Sequence, residues 1–386
     1  MMRYITLSHI VAVLIIAGLV SSCAHETKTN KPDENQIGIP VRVGPTDFSS
    51  SFSYYNTSPE SPDGSKIAYT KILSMPKVER SEKVPAEIWV CNADLTDHKK
   101  VVEIHPLTVH NGARVQWLDN NSFVFQDDSI RVVDLDGNAL IKAVSGRIGH
   151  KTFNGKFLYS AENPETQLSS IYLFNVKTQE TNQLADAMDF EKLVELYPSD
   201  ELREVKDMWI LHLQYSPDGK KIAFRIDIGP RDEKYNHLVT MNIDGSDIRY
   251  FGPKPMHFAW YDGESMMGHD NQIDDGMPNN KSGRRWDLDR KYIETLSGIG
   301  NHLGASEDRT LYASESWYQQ IPVILSVFKK GETEAFWQDT VSTDKHTTWT
   351  LANHANPSFS RDGKKVYYNK CVAPGVVQTY MAVLPQ

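Results

Sequence analysis

Cysteine is scarce in this chain, with three among 386 residues, at positions 23, 91 and 371. Three thiols cannot staple a chain of this length into a disulfide framework, and none has the paired spacing of a zinc ribbon. Cys91 and Cys371 read as strand residues, either as two thiols or as one bond formed in an oxidising envelope. Long apolar runs are missing too: Ile10 to Val20 is about eleven residues long, where a bilayer-spanning helix needs roughly 20. No cluster of Lys and Arg is interleaved with aromatics, and the formal net charge is −9, which argues against nucleic acid as a partner. There is no Gly-x-Ser-x-Gly elbow, Gly-rich phosphate loop, EF-hand loop or His-Glu-x-x-His. Helical periodicity is confined to two stretches, 186–207 and 284–297, each read here as a helical insertion.

What the chain has instead is a repeated turn. Ser61-Pro62-Asp63-Gly64, Ser216-Pro217-Asp218-Gly219 and Ser360-Arg361-Asp362-Gly363 each precede an alternating apolar strand. Asp-Gly supplies the backbone angles for reversal and the following β-formers supply the strand, so each copy marks a hairpin. Weaker copies at Asp119-Asn120-Asn121, Asn154-Gly155, Asp262-Gly263 and Glu307-Asp308-Arg309 bring the count to seven. A second series, at 133–137, 174–178, 241–245 and 327–331, reads as the outer hairpin of the same units. Two hairpins make a four-stranded sheet, and such sheets repeated along a chain stack around a channel. The expected fold is all-β, a seven-bladed β-propeller of four-stranded antiparallel blades over 37–386, with Ile37 to Val43 supplying the strand that closes the ring.

Ahead of the propeller, Arg3, the apolar run and Val20-Ser21-Ser22-Cys23 form an export signal. This segment resembles a bacterial lipobox. The resemblance implies removal of 1–22, lipidation of Cys23 and a flexible tether over 23–36, leaving the protein anchored to a membrane of the cell envelope. An ordinary cleaved signal peptide is the alternative.

Measured from the turns, four histidines share an offset. His212 lies four residues before Ser216, His257 five before Asp262, His302 four before Ser306 and His354 six before Ser360. Residues just before such turns sit on the strand that lines the channel, so imidazoles there can converge as metal ligands or as acid and base. Taken one at a time, each is equally a hydrogen-bonding strand residue.

The strings around these histidines are more specific. Pro255-Met256-His257-Phe258-Ala259-Trp260-Tyr261-Asp262-Gly263, then Asn301-His302-Leu303-Gly304, then His346-Thr347-Thr348-Trp349 and His354-Ala355-Asn356-Pro357-Ser358-Phe359, resemble the oligogalacturonate lyases, the propeller-type pectate lyases. The resemblance implies that His257 is the general base and that His302 and His354 are ligands of manganese, with Asn356 at a second histidine position of the family motif. An amide oxygen there shifts preference toward oxygen-loving cations such as calcium. The family's glutamine ligand falls at Leu351, and its carboxylate-neutralising arginine falls at His237. Arg225, Arg231 and Lys234 are the nearby cations open to take over, with Arg225 carried as a substrate contact, and Trp260 and His212 complete the expected substrate contacts. The implied activity is metal-assisted β-elimination of short, acidic uronate oligosaccharides. A non-catalytic TolB-like propeller that binds glycan or protein at the envelope is the alternative.

Overall fold

The structure is a computed structural model that describes residues 37–74, 83–108, 112–195, 204–229, 235–253, 257–269, 281–317, 320–343 and 354–385. The export segment, Cys23, Arg231, Lys234 and Leu351 lie outside these residues. Seven antiparallel sheets follow one another along the chain, each beginning with its innermost strand. Six have four strands. Blade 2 has three, Gln116–Trp117, Ser122–Gln126 and Ile130–Asp134. Its expected fourth strand is reduced to the isolated bridges Val133↔Ala139 and Ile130↔Val144, because the chain between them turns Ile141 inward onto Val124, Ile130 and Val132.

The repeated turns are built identically. In Ser61, Ser216, Ser306 and Ser360 the hydroxyl donates to the aspartate two residues on, at 2.6 to 2.7 Å, and accepts the backbone N–H five residues on, at 2.9 to 3.0 Å. These contacts favour the ionised carboxyl, and the Ser61 hydroxyl is the largest influence that pulls Asp63 down to about 2. The second turn series closes the outer hairpins at the same end of the ring, shown by Ile243 N–H donating to Lys220 O and Lys330 N–H to Thr310 O, both at 2.8 Å.

Blades stack through alternating strand faces. In blade 4, Ile222, Phe224, Ile226 and Ile228 pack with Leu158 and Ile171 of blade 3, while Ala223 and Leu238 pack with Phe258 and Trp260 of blade 5. Each such aliphatic or aromatic side chain contributes about 1.5 to 3 kcal/mol by leaving water. The ring closes where Val41–Arg42 becomes the outer strand of blade 7, pairing Val41 with Met381 and Arg42 with Tyr380. Gly38 N–H donates to Val383 O at 2.7 Å and the Trp337 indole N–H to Gly38 O at 2.9 Å, so the N-terminal strand also ties blade 6 to blade 7.

Two sequence expectations are corrected. Residues 284–297 are not helical: they run through the hairpin Ser282–Asp287 and Tyr292–Ile299, because the Asp287–Arg290 turn, with Arg290 at φ +65°, reverses the chain. Over 186–207, the described helical parts are short turns at Ala187–Phe190, Lys192–Glu195 and Val205–Asp207. Cys91 is buried and Cys371 half-buried, and both are free thiols.

Candidate active site

The inner strand of blade 1 does not run straight. Ser51 pairs with Thr70 and Glu60 with Ile67, so nine steps of chain stand opposite three. The surplus bows into the channel and carries Tyr54 and Tyr55, whose rings lie 4.5 Å apart. Around them gather histidines from four blades. Tyr54 is 5.0 Å from His150, 5.8 Å from His212 and 5.7 Å from His302 between ring centres. Tyr55 is 4.9 Å from His302 and 5.9 Å from His257, and its hydroxyl donates to Phe258 O at 3.1 Å.

On one wall, His257, His302 and His354 converge from the leading ends of blades 5, 6 and 7. The His257 and His302 rings are 4.0 Å apart and those of His302 and His354 5.5 Å. Burial first, and then the neighbouring imidazoles, push His257 and His302 well below the ordinary histidine value, so both are neutral at neutral pH. His302 Nδ1 contacts the carboxylate of Glu315, at the end of the strand Leu311–Glu315. Glu315 is fully buried and its carboxyl is pushed up to about 8 by that burial. Its Oε2, together with Asn301 Oδ1 and Asn356 Oδ1, is a buried oxygen without a hydrogen-bond partner among the described residues.

The opposite wall is basic. His150 and His212 stack with rings 5.4 Å apart and 8° from parallel, Nε2 to Nδ1 at 3.1 Å. Backbone enforces this contact: His150 N–H donates to Leu213 O at 2.6 Å, and the inner strand of blade 4 bulges between Leu211 and Gln214 with His212 at φ +55°. Arg114 Nη1 donates to Ile148 O at 3.3 Å, next to Arg147. Arg225, on the second strand of blade 4, pairs with Asp227 at 2.7 Å and exerts its field on Tyr54, His212 and His257. Left-handed backbone recurs on these inner segments, at Asn56, Arg114, Lys151, His212, His257 and Asn356 (φ +47° to +63°). Such positions cost about 1 to 3 kcal/mol each and collect at functional sites.

The structure therefore brings His212, His257, His302, His354 and Arg225 around one pair of tyrosines, with Asn356 buried on the His354 segment. His237 and Trp260 sit elsewhere. His237 stands opposite Ile226, whose row faces blade 3, whereas Arg225 stands opposite Leu238, whose row faces blade 5. A one-residue offset in a strand reverses the face, so His237 and Arg225 lie on opposite faces of blade 4. The Trp260 indole donates to Gln214 O at 3.3 Å and packs between blades 4 and 5. Tyr54, Tyr55, Arg114, Arg147 and Glu315 escape a search for histidines alone. The offset that finds His212 also finds His150, four residues before Asn154, and Arg114, five before Asp119.

A cation here would draw on imidazole and amide together. Among the described residues no three His, Cys, Asp or Glu side chains are grouped as ligands of one ion. Asn356 Oδ1, two residues along the chain from His354, is a buried amide oxygen without a hydrogen-bond partner among the described residues, and amide oxygen with imidazole suits manganese or calcium.

These features define a seven-bladed propeller with a histidine-lined and arginine-lined channel. No family model and no curated protein matches the sequence. Among solved structures, an oligogalacturonate lyase in complex with manganese superposes with a TM-score of 0.63 at 18% identity, over 90% of this chain and 93% of that one. An oligogalacturonate lyase from Vibrio parahaemolyticus superposes at 0.60 and 15% identity, over 90% and 94%. A prolyl endopeptidase superposes at 0.52 and 13%, over 88% of this chain and 49% of that one. The chain is thus similar in fold to the oligogalacturonate lyases along nearly its whole described length.

Proposed function

We propose that the protein is a lyase that cleaves short uronate-containing oligosaccharides by β-elimination, with a divalent cation, manganese ahead of calcium, held at His302, His354 and Asn356. One observation supports this above the rest: imidazoles from three consecutive blades close on one point of the channel, within the field of the Arg225 guanidinium. Elimination from a 4-linked uronate takes the C5 proton, moves that electron pair into a C4–C5 double bond and expels the glycosidic oxygen from C4 with a proton. The C5 proton is acidic only if positive charge stabilises the carboxylate beside it as the enolate develops. Arg225 supplies fixed positive charge on this chain. His257, neutral because burial and its imidazole neighbours oppose a second charge, is in the protonation state that a general base requires. A bound divalent cation would add Lewis-acid stabilisation of the same carboxylate.

The experiment is to incubate the mature chain with oligouronates, with manganese or with chelator, and follow the ultraviolet absorbance of the unsaturated product. No product from any uronate, with or without metal, refutes the proposal. A non-catalytic propeller that binds glycan or protein is favoured by one observation, the lack of a three-residue His, Cys, Asp or Glu group for an ion among the described residues. Binding without product would decide for it. The proposed setting is the bacterial cell envelope, with the mature protein lipid-anchored at Cys23 and an acidic oligosaccharide as its partner.

A further inference from the structure

An oxygen that leaves carbon in an elimination needs a proton, and His257, acting as base, has none to give. The bowed segment of blade 1 holds a group that does. That segment is pinned on three sides: Phe52 N–H donates to Asn369 Oδ1 of blade 7 at 2.8 Å, Ser53 Oγ to Val115 O of blade 2 at 3.3 Å, and Asn56 Nδ2 to Leu303 O of blade 6 at 2.9 Å. Between these ties the two tyrosines differ. The Tyr55 hydroxyl is committed to Phe258 O at 3.1 Å. The Tyr54 hydroxyl makes no hydrogen bond among the described residues and, unlike that of Tyr215, is not sealed from water, so it opens into the channel. Its ring is nonetheless fixed, 5.0 Å from His150 on the basic wall and 5.7 Å from His302 on the wall that carries His257. A rigidly held phenol with an unused donor is placed for a partner that the protein does not supply. With an ordinary pKa of about 10, a phenol keeps its proton at neutral pH. The other acid of the site, Glu315, is fully buried with Oε1 against His302 Nδ1, out of reach of a sugar in the channel.

We propose that Tyr54 is the general acid of the elimination, donating its phenolic proton to the glycosidic oxygen as that oxygen leaves C4. The proposal rests on the lyase reading above. His257 takes the C5 proton and the C5–H electron pair becomes the C4–C5 double bond. The C4–O bond breaks, and its electron pair takes the proton of Tyr54, leaving a phenolate and an imidazolium. Water then carries the proton of His257 to the Tyr54 oxygen, which restores both groups.

Leaving-group chemistry tests this separately from folding and binding. The mature chain and its Tyr54→Phe variant, which keeps the ring and loses an oxygen that bonds to nothing in the protein, are assayed with manganese on two substrates. One is an oligogalacturonate; the other is a galacturonate bearing 4-nitrophenol at O4, whose leaving group departs as a stable anion and needs no proton. Tyr54→Phe should lower kcat on the oligogalacturonate by about 100-fold or more with KM within about threefold, and should lower it by no more than about threefold on the nitrophenyl substrate. A loss of equal size on both substrates assigns the hydroxyl a structural role and overturns the proposal, as does full activity of the variant on both. Should the variant fold poorly, the parent alone decides across a series of phenols at O4. Rates nearly independent of phenol acidity support an enzyme-supplied proton, and rates that climb steeply with it overturn the proposal. Failure of the unmutated chain to form product from either substrate overturns the lyase reading itself, an outcome distinct from a parent that turns over and a variant that matches it.

Discussion

Replacing Glu315 by glutamine should change how the stability of the protein depends on pH. The carboxyl is fully buried and pushed up to about 8 by that burial, against an ordinary value of 4.5. An acid whose folded value lies above its unfolded value is bound by more protons in the folded state throughout the interval between them. Its contribution to stability is complete below 4.5 and is eroded as pH rises, until the folded value of about 8 is passed. At 1.36 kcal/mol per pH unit the interval amounts to about 5 kcal/mol at most. Contact with His302 Nδ1 lets the pair share its protons, which makes about 2 to 4 kcal/mol the expected loss. The histidines of the channel work the other way: burial lowers them, and their contribution disappears as pH falls. Most of that slope is common to both proteins and drops out of the difference. The assay is denaturant unfolding of the parent and Glu315→Gln from pH 4.5 to 8, supported by melting curves. Near pH 4.5 the two should differ little, and by pH 8 the variant should have gained on the parent by the stated amount, roughly 2 °C per kcal/mol in a chain of this size. Parallel profiles across the interval would refute the reasoning, since they would mean that Glu315 is not held protonated by its surroundings.

His257→Ala should lower the rate of product formation by about 10² to 10⁴-fold, the usual share of a general base, while the melting temperature stays within a few degrees. His237→Gln should leave turnover within about twofold, because its row in blade 4 packs away from Arg225; a hundredfold loss in steady-state assays would contradict that register. Deleting 37–43 removes the closing strand and buried Val43, about 5 kcal/mol from ladder hydrogen bonds and apolar burial, and should lower the melting temperature of the whole ring in one transition of roughly 10 °C. A separate early transition of blade 7 alone would show that closure is local. Cys23→Ala should move the protein from the membrane to the soluble fraction of the cell, read by fractionation and by the mass of the mature N-terminus.

The fold was legible because its information is local. Ser-Pro-Asp-Gly at 61–64 and 216–219 specifies a hydrogen-bonded turn from adjacent residues, and alternation after it specifies a strand, so seven turns yield seven blades without knowledge of distant contacts. Where local preference is ambiguous the sequence misled. Residues 284–297 carry charges and apolar residues at spacings compatible with a helix, yet their neighbours in blade 5 offer open ladder positions and the chain pairs as a hairpin. The candidate site was half legible. His257, His302 and His354 could be ranked together because each stands at a fixed distance from its own turn. The faces on which Trp260 and His237 lie could not be read, because a strand residue's face depends on register with a partner, which no single segment carries.

The sequence by itself determined the repeated unit, the number of blades and the offset that puts histidines at the inner edge, all consequences of turn chemistry and strand periodicity within a few residues. Only the tertiary structure decided what those histidines face. The bowed segment that carries Tyr54 and Tyr55, the Glu315 carboxyl beneath His302 and the arginines of the opposite wall come from four different blades. Their proximity follows from closing the ring. Closure converts equal offsets along one chain into a shared cavity, where burial and mutual charge, absent from any isolated strand, keep His257 and His302 neutral and push the Glu315 carboxyl up.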